Sequence, residues 1–133
     1  GIPFFPAAKA ESKTTDQEMP LKFALGLENG PVVRELLKQC QSIHNIRTEF
    51  SEALTKLLEP IQELCTAMAK IHDATFLGID TSLNPSLEES GSIAAAMEQL
   101  DEVQVFGGPG TLAAAAEITK VLQNLPKIDL TGY

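Results

Sequence analysis

Apolar residues recur at strides of three and four from Val33 to Ile71, through Leu36, Leu37, Cys40, Ile43, Phe50, Leu54, Leu57, Ile61, Leu64 and Met68. The stripe has one gap, at Arg47. That period predicts a helical face of roughly forty residues, longer than most single-domain helices. Asn29 is placed to cap its start, and Pro31 falls in the first turn, where a missing N–H costs little. Pro60 interrupts the pattern. A proline inside a helix removes a hydrogen bond and clashes with the carbonyl four residues back, costing about 3 kcal/mol. The expectation is a kink or break near residues 56–60, giving one bent helix or two in line.

Short apolar runs flank this stripe. KFALGLE (22–28) and TFLGID (75–80) read as buried strands, the second ending on a carboxylate. A short helix follows at SIAAAMEQL (92–100), then a brief strand at Val103–Phe106. The final helix covers TLAAAAEITKVLQNL (111–125) and is stopped by Pro126. Residues 1–20, with three prolines and the polar KAESKTTDQE, read as extended loop. This order predicts a single α/β domain. Its sheet is either partly barrel-like or open and parallel, with a long Pro-kinked helix and two shorter ones.

Composition narrows the functional classes. No apolar run approaches the roughly 20 residues that span a bilayer, so a soluble, cytoplasmic chain without a membrane partner is expected. Cys40 and Cys65 have no CxxC spacing, which indicates neither a disulfide framework nor a thiolate metal site. The net charge of −8 is concentrated in the second half, where Lys120 and Lys127 face nine acids. A nucleic-acid partner needs a basic face and is disfavoured. The apolar opening GIPFFPAA and the close on DLTGY suggest a segment of a longer protein or a subunit of an assembly.

Three stretches carry candidate chemistry. Asp80 and Ser82, in GIDTSLNPS, belong at the carboxyl end of a strand, where α/β proteins gather ligands. Glu28, in GLEN, ends the other strand. If the strands are parallel neighbours, Glu28 and Asp80 emerge at one end and can hold a divalent cation, magnesium or calcium. The competing readings are an Asx or Ser turn at Asp80 and a solvated glutamate at a helix start. Glu88, Glu89, Glu98, Asp101 and Glu102 either thicken that cation site or form a solvated face. The third stretch is FGGPGTLAAAAEIT (106–119), a glycine turn entering an alanine-rich helix. Gly107, Gly108, Gly110 and Thr111 can cradle an anion on free helix amides. The small alanines allow equally a close helix-packing joint. His44 and His72 form no metal-binding pair, and no GxSxG or nucleotide loop is present.

Taken together, GIPFFPAA, FALGLEN, FLGIDTSLNPS with GSIAAAMEQL, and FGGPGTLAAAAEIT followed by TGY resemble a family of uncharacterised proteins, domain of unknown function 711, also numbered family 0210. The resemblance covers nearly the whole chain. It implies a middle portion of a longer protein and a fold of the pyruvate formate-lyase group, an α/β barrel. Radical enzymes of that group pair a glycine near the carboxyl terminus with a loop cysteine. Gly132 superficially matches such a glycine, but Cys40 and Cys65 lie on the helical stripe, where burial explains them.

Two functions follow as expectations. The first is binding of a small anionic metabolite, a divalent cation, or both, at strand ends. Glu28 and Asp80 would take the cation, and Ser82, Gly107, Gly108, Gly110 and Thr111 the ligand. The second is a non-catalytic assembly subunit that packs through its apolar stripe, as a homo-oligomer or with partner chains supplying missing flanks.

Overall fold

A computed structural model describes residues 21–84, 86 and 88–132. The loop expected over residues 1–20 lies outside the described residues. Strands β1 (Lys22–Gly26), β2 (Thr75–Asp80) and β3 (Leu130–Thr131) form an open three-stranded sheet in the order β1-β2-β3. Both pairings are parallel, as the strand–helix order predicts for an α/β chain.

Between the Phe23–Phe76 and Leu25–Ile79 pairs, β1 advances two residues while β2 advances three. The extra residue is a β-bulge at Leu77 and Gly78, with Gly78 at φ +114°. A bulge resets the two-residue alternation, so Phe76 and Ile79 both reach the helical core. Leu77 instead is 41% exposed. Phe76 also meets Phe23 on the neighbouring strand, their ring centroids 5.4 Å apart.

Helix α1 spans Gly30–Cys40. The chain then breaks at Gln41, at φ +59°, and Ser42, which is extended. It re-enters helix through a 3₁₀ turn (Ile43–Asn45) and a π turn (Ile46–Phe50) into α2, Ser51–Ile71. The break therefore falls at residues 41–42, and not near 56–60. Ser42 supplies the reason: its hydroxyl accepts the His44 N–H at 3.2 Å, capping the new helix. Pro60 lies inside an unbroken α2 on its exposed side, where solvent can serve the backbone carbonyl that loses its partner.

Two shorter helices follow: α3 (Ile93–Met97), capped by the Ser92 hydroxyl, and α4 (Thr111–Leu122). Val103–Phe106 is not a strand. Val103 is fully buried in the core, while Val105 and Phe106 are exposed in turns. The third strand is the short β3, set by the Ile79 N–H donating to Asp129 O at 2.8 Å. Val33, Leu37, Phe50, Leu54, Ile79, Ile118 and Leu122 belong to one core shared by the sheet with α1, α2 and α4. Among the described residues, no helix is long and apolar enough to cross a membrane.

Candidate functional site

Register alone brings the carboxyl ends of the strands level, because Asp80 pairs with both Gly26 and Thr131. Beyond those ends lie Glu28 and Asn29 after β1, Thr81 and Ser82 after β2, and Gly132 after β3. Side chains tie the exits together. Asn29 Nδ2 donates to Thr81 O at 3.2 Å, and the Thr81 hydroxyl donates to Leu122 O at 2.9 Å. Asn84 Nδ2 reaches Leu27 O at 3.0 Å. Asp80 Oδ1 accepts the Ser82 N–H at 2.9 Å, the Asx turn that competes with a ligand role. Its carboxylate also lies against Gly132, leaving no room there for a Cβ. Gly132 is thus the point where the chain leaving β3 passes the Asp80 side chain.

A groove of about 440 Å³ opens beside these exits. Glu28, Asn29, Gly30 and Pro31 line one side, and Asn84, Glu88 and Gly91 the other. The two walls touch at one point: a Cβ on Gly30 would lie 2.5 Å from Gly91 O, so only glycine permits the approach. Arg34 braces the same wall, donating to Glu89 O at 2.9 Å and pairing with its carboxylate. Pro31 occupies the first turn of α1, as expected, but the Asn29 side chain does not cap it. Asn29 is buried, and its Oδ1 has no hydrogen-bond partner among the described residues.

Glu28 and Asp80 therefore share one end of the sheet, but only Glu28 lines the groove. Ser82 is half-buried next to Asp80. The glycine turn sits elsewhere. Leu122, at the end of α4, touches Thr81, and Thr111 begins that helix, about 16 Å away at 1.5 Å per residue. The turn also consumes its own donors. Gly107 N–H bonds the Thr111 hydroxyl at 3.1 Å, Gly108 N–H bonds Val105 O at 3.0 Å, and Thr111 N–H bonds Gly108 O at 3.3 Å. Gly110, at φ +86°, packs directly onto Glu102 O. This is the geometry of a packing joint, with the Leu112 and Ala113 amides left over.

The acidic residues are scattered in use. Glu102 accepts from the Ser42 hydroxyl at 2.6 Å and from Ile43 N–H at 3.0 Å, and these bonds hold its carboxyl below the usual range. Glu98 accepts the Phe106 N–H at 2.7 Å. Among the described residues, no group of three or more His, Cys, Asp or Glu side chains is arranged to hold a metal ion. His44 and His72 are exposed. Cys40 is buried, which raises its thiol pKa, and Cys65 is half-buried on α2, so neither stands on a loop.

Fold and strand ends define an open, parallel α/β unit with a polar groove at the carboxyl edge of its sheet. The chain belongs to the family described as Uncharacterised ACR (DUF711), whose model matches residues 1–133. No curated protein and no solved structure matches it.

Proposed function

We propose that the groove beside Glu28 and Asn29 binds a small polar metabolite at the carboxyl edge of the sheet. The observation that carries this reading is Asn29: a buried side chain in the groove wall whose Oδ1 is unpaired. An unpaired buried polar atom costs about 1–3 kcal/mol, which a ligand donor that reached Oδ1 through a small shift of the Asn29 side chain would recover. Parallel α/β proteins gather their ligands at the carboxyl ends of the strands, where this groove lies. Glu28 and Glu88 make the lining acidic, so an anionic ligand enters with a divalent cation, magnesium or calcium, on Glu28. Asp80 and Ser82 close the neighbouring strand end and hold its shape. The free thiols of Cys40 and Cys65 support a cytoplasmic setting.

Calorimetry tests the proposal with magnesium, calcium, and a panel of phosphorylated and hydroxylated metabolites with and without those ions. Binding at millimolar concentration or tighter is expected, and Glu28→Ala should weaken it at least tenfold. A panel with no heat of binding at millimolar concentration, or binding that Glu28→Ala leaves intact, refutes the reading.

A further inference from the structure

The groove at the strand ends is lined by hydrogen-bond acceptors. Asn29 Nδ2 donates to Thr81 O at 3.2 Å, and Asn84 Nδ2 donates to Leu27 O at 3.0 Å. Main-chain carbonyls only accept, so both amide orientations are fixed and each asparagine keeps its Oδ1 in reserve. Asn29 is 5% exposed, and its Oδ1 is without a partner among the described residues. Glu28 and Glu88 add two carboxylates from opposite walls. The hydroxyls of Ser86 and Ser90 can serve either way. Among the described lining residues there is no lysine, arginine or histidine. Arg34, on the same wall, is turned to Glu89, whose main-chain oxygen it meets at 2.9 Å and whose carboxylate it pairs with.

We propose that the metabolite bound in this groove is an amine. It is a zwitterion whose primary ammonium lies between Asn29 Oδ1 and the wall of Asn84 and Glu88, with its anionic end on the cation at Glu28. This rests on the ligand reading above and names the class of ligand. Donor count is the first reason: an ammonium has three N–H donors and no acceptor, the complement of a lining of oxygens. Charge is the second. A divalent cation offsets the two lining carboxylates, and a purely anionic ligand would then leave the filled groove negative again. An ammonium on the same molecule removes that excess where Glu88 stands. Asn29 gives the third, because a small shift of its side chain brings Oδ1 to a donor, and only a donor recovers the lost hydrogen bond. A hydroxyl in the same place offers a single donor and no charge, so Glu88 stays uncompensated.

Calorimetry with matched pairs tests this, in magnesium and in calcium. Serine is set against glycerate, and phosphoserine against 3-phosphoglycerate, so that each pair differs only in an ammonium or a hydroxyl. The amino member should bind roughly tenfold tighter or more, the factor carried by one hydrogen bond to a charged group. Glu88→Gln keeps the shape of the exposed side chain and removes its charge, so it should abolish that preference while the circular dichroism spectrum stays unchanged. Hydroxyl members that bind as tightly as their amino partners overturn the inference and leave the groove reading standing, as a second metal ion at Glu88 would require. A preference for the amine that survives Glu88→Gln overturns it too. No heat of binding from either pair at millimolar concentration overturns both readings.

Discussion

Replacing Gly78 by alanine tests whether the bulge in β2 holds the sheet in register. Two costs add at this position. The backbone sits at φ +114°, outside the regions open to residues with a Cβ, which costs about 1–3 kcal/mol. A Cβ there would also lie 2.5 Å from Asp129 O. That carbonyl accepts the Ile79 N–H at 2.8 Å, and β3 has only two residues to hold it. Pushing it away forfeits a hydrogen bond worth about 1 kcal/mol net and loosens the Leu130 and Thr131 pairing. The sum is about 3 kcal/mol, a large fraction of the 5–15 kcal/mol that holds a typical domain together. At a urea slope of about 2 kcal/mol/M, the unfolding midpoint should fall by about 1.5 M. Two alanine controls separate the contributions. Gly107→Ala meets open space at φ +88° and should cost backbone strain alone, about 1 kcal/mol. Gly26→Ala meets neither obstacle and should stay within about 0.5 kcal/mol of the parent. Urea denaturation followed by circular dichroism reads all three. If Gly78→Ala costs no more than Gly107→Ala, the β3 contact does not set the register and the reasoning fails.

Acid should act through Glu117, whose carboxyl Arg47 and then Lys120 hold down at about 2. Because the folded value is depressed, its stabilisation is complete above the ordinary value near 4.5 and is lost as pH falls towards 2. An NMR titration of the Glu117 side chain should find a midpoint near 2, and one near 4.5 would show that the Arg47 pair does not persist. Two buried threonines should respond oppositely to valine, measured by chemical denaturation. Thr81→Val loses the bond to Leu122 O and should cost about 1–2 kcal/mol. In contrast, Thr55→Val removes a buried hydroxyl without a partner among the described residues, and should be neutral or stabilising by up to about 1 kcal/mol.

The parts of the fold legible in the sequence were those that repeat. The three-to-four stride from Val33 to Ile71 and the runs at 22–28 and 75–80 were enough for a parallel α/β arrangement, because burial enforces those periods over many residues. Some single-residue decisions were misplaced. Pro60 was expected to kink or break the helix; of the two readings the one continuous helix holds for α2, and the break belongs to Gln41 and Ser42, where a local hydroxyl outcompetes helix continuity. The Ser42–Asn45 stretch, next to the gap at Arg47, was the available signal. β3 left none, since two residues carry no period, and its pairing depends on Gln62 of α2 gripping Lys127 O and Asp129 N–H. Asn29 was read as a cap, and its role in joining β1 to β2 lies in a contact 52 residues away.

The acidic second half shows why candidate carboxylates are hard to rank from sequence. Turns and helix ends leave main-chain N–H groups without partners, and a carboxylate is the strongest acceptor available. Glu102 serves Ile43, Glu98 serves Phe106 and Asp80 serves Ser82, while Glu89 takes Arg34. Each of these acids looks like a ligand in one dimension and acts as a staple in three. The glycine turn at 107–110 follows the same logic, spending the N–H groups of Gly107, Gly108 and Thr111 on its own oxygens. Glu28 and Glu88 do the reverse: neither carboxylate has a hydrogen bond or ion pair among the described residues, both stand at the groove, and Glu28 is the one next to Asn29. A binding residue must keep its capacity unspent in the free protein, so the unspent carboxylate beside the unpaired Asn29 Oδ1 is where a ligand has the most to gain.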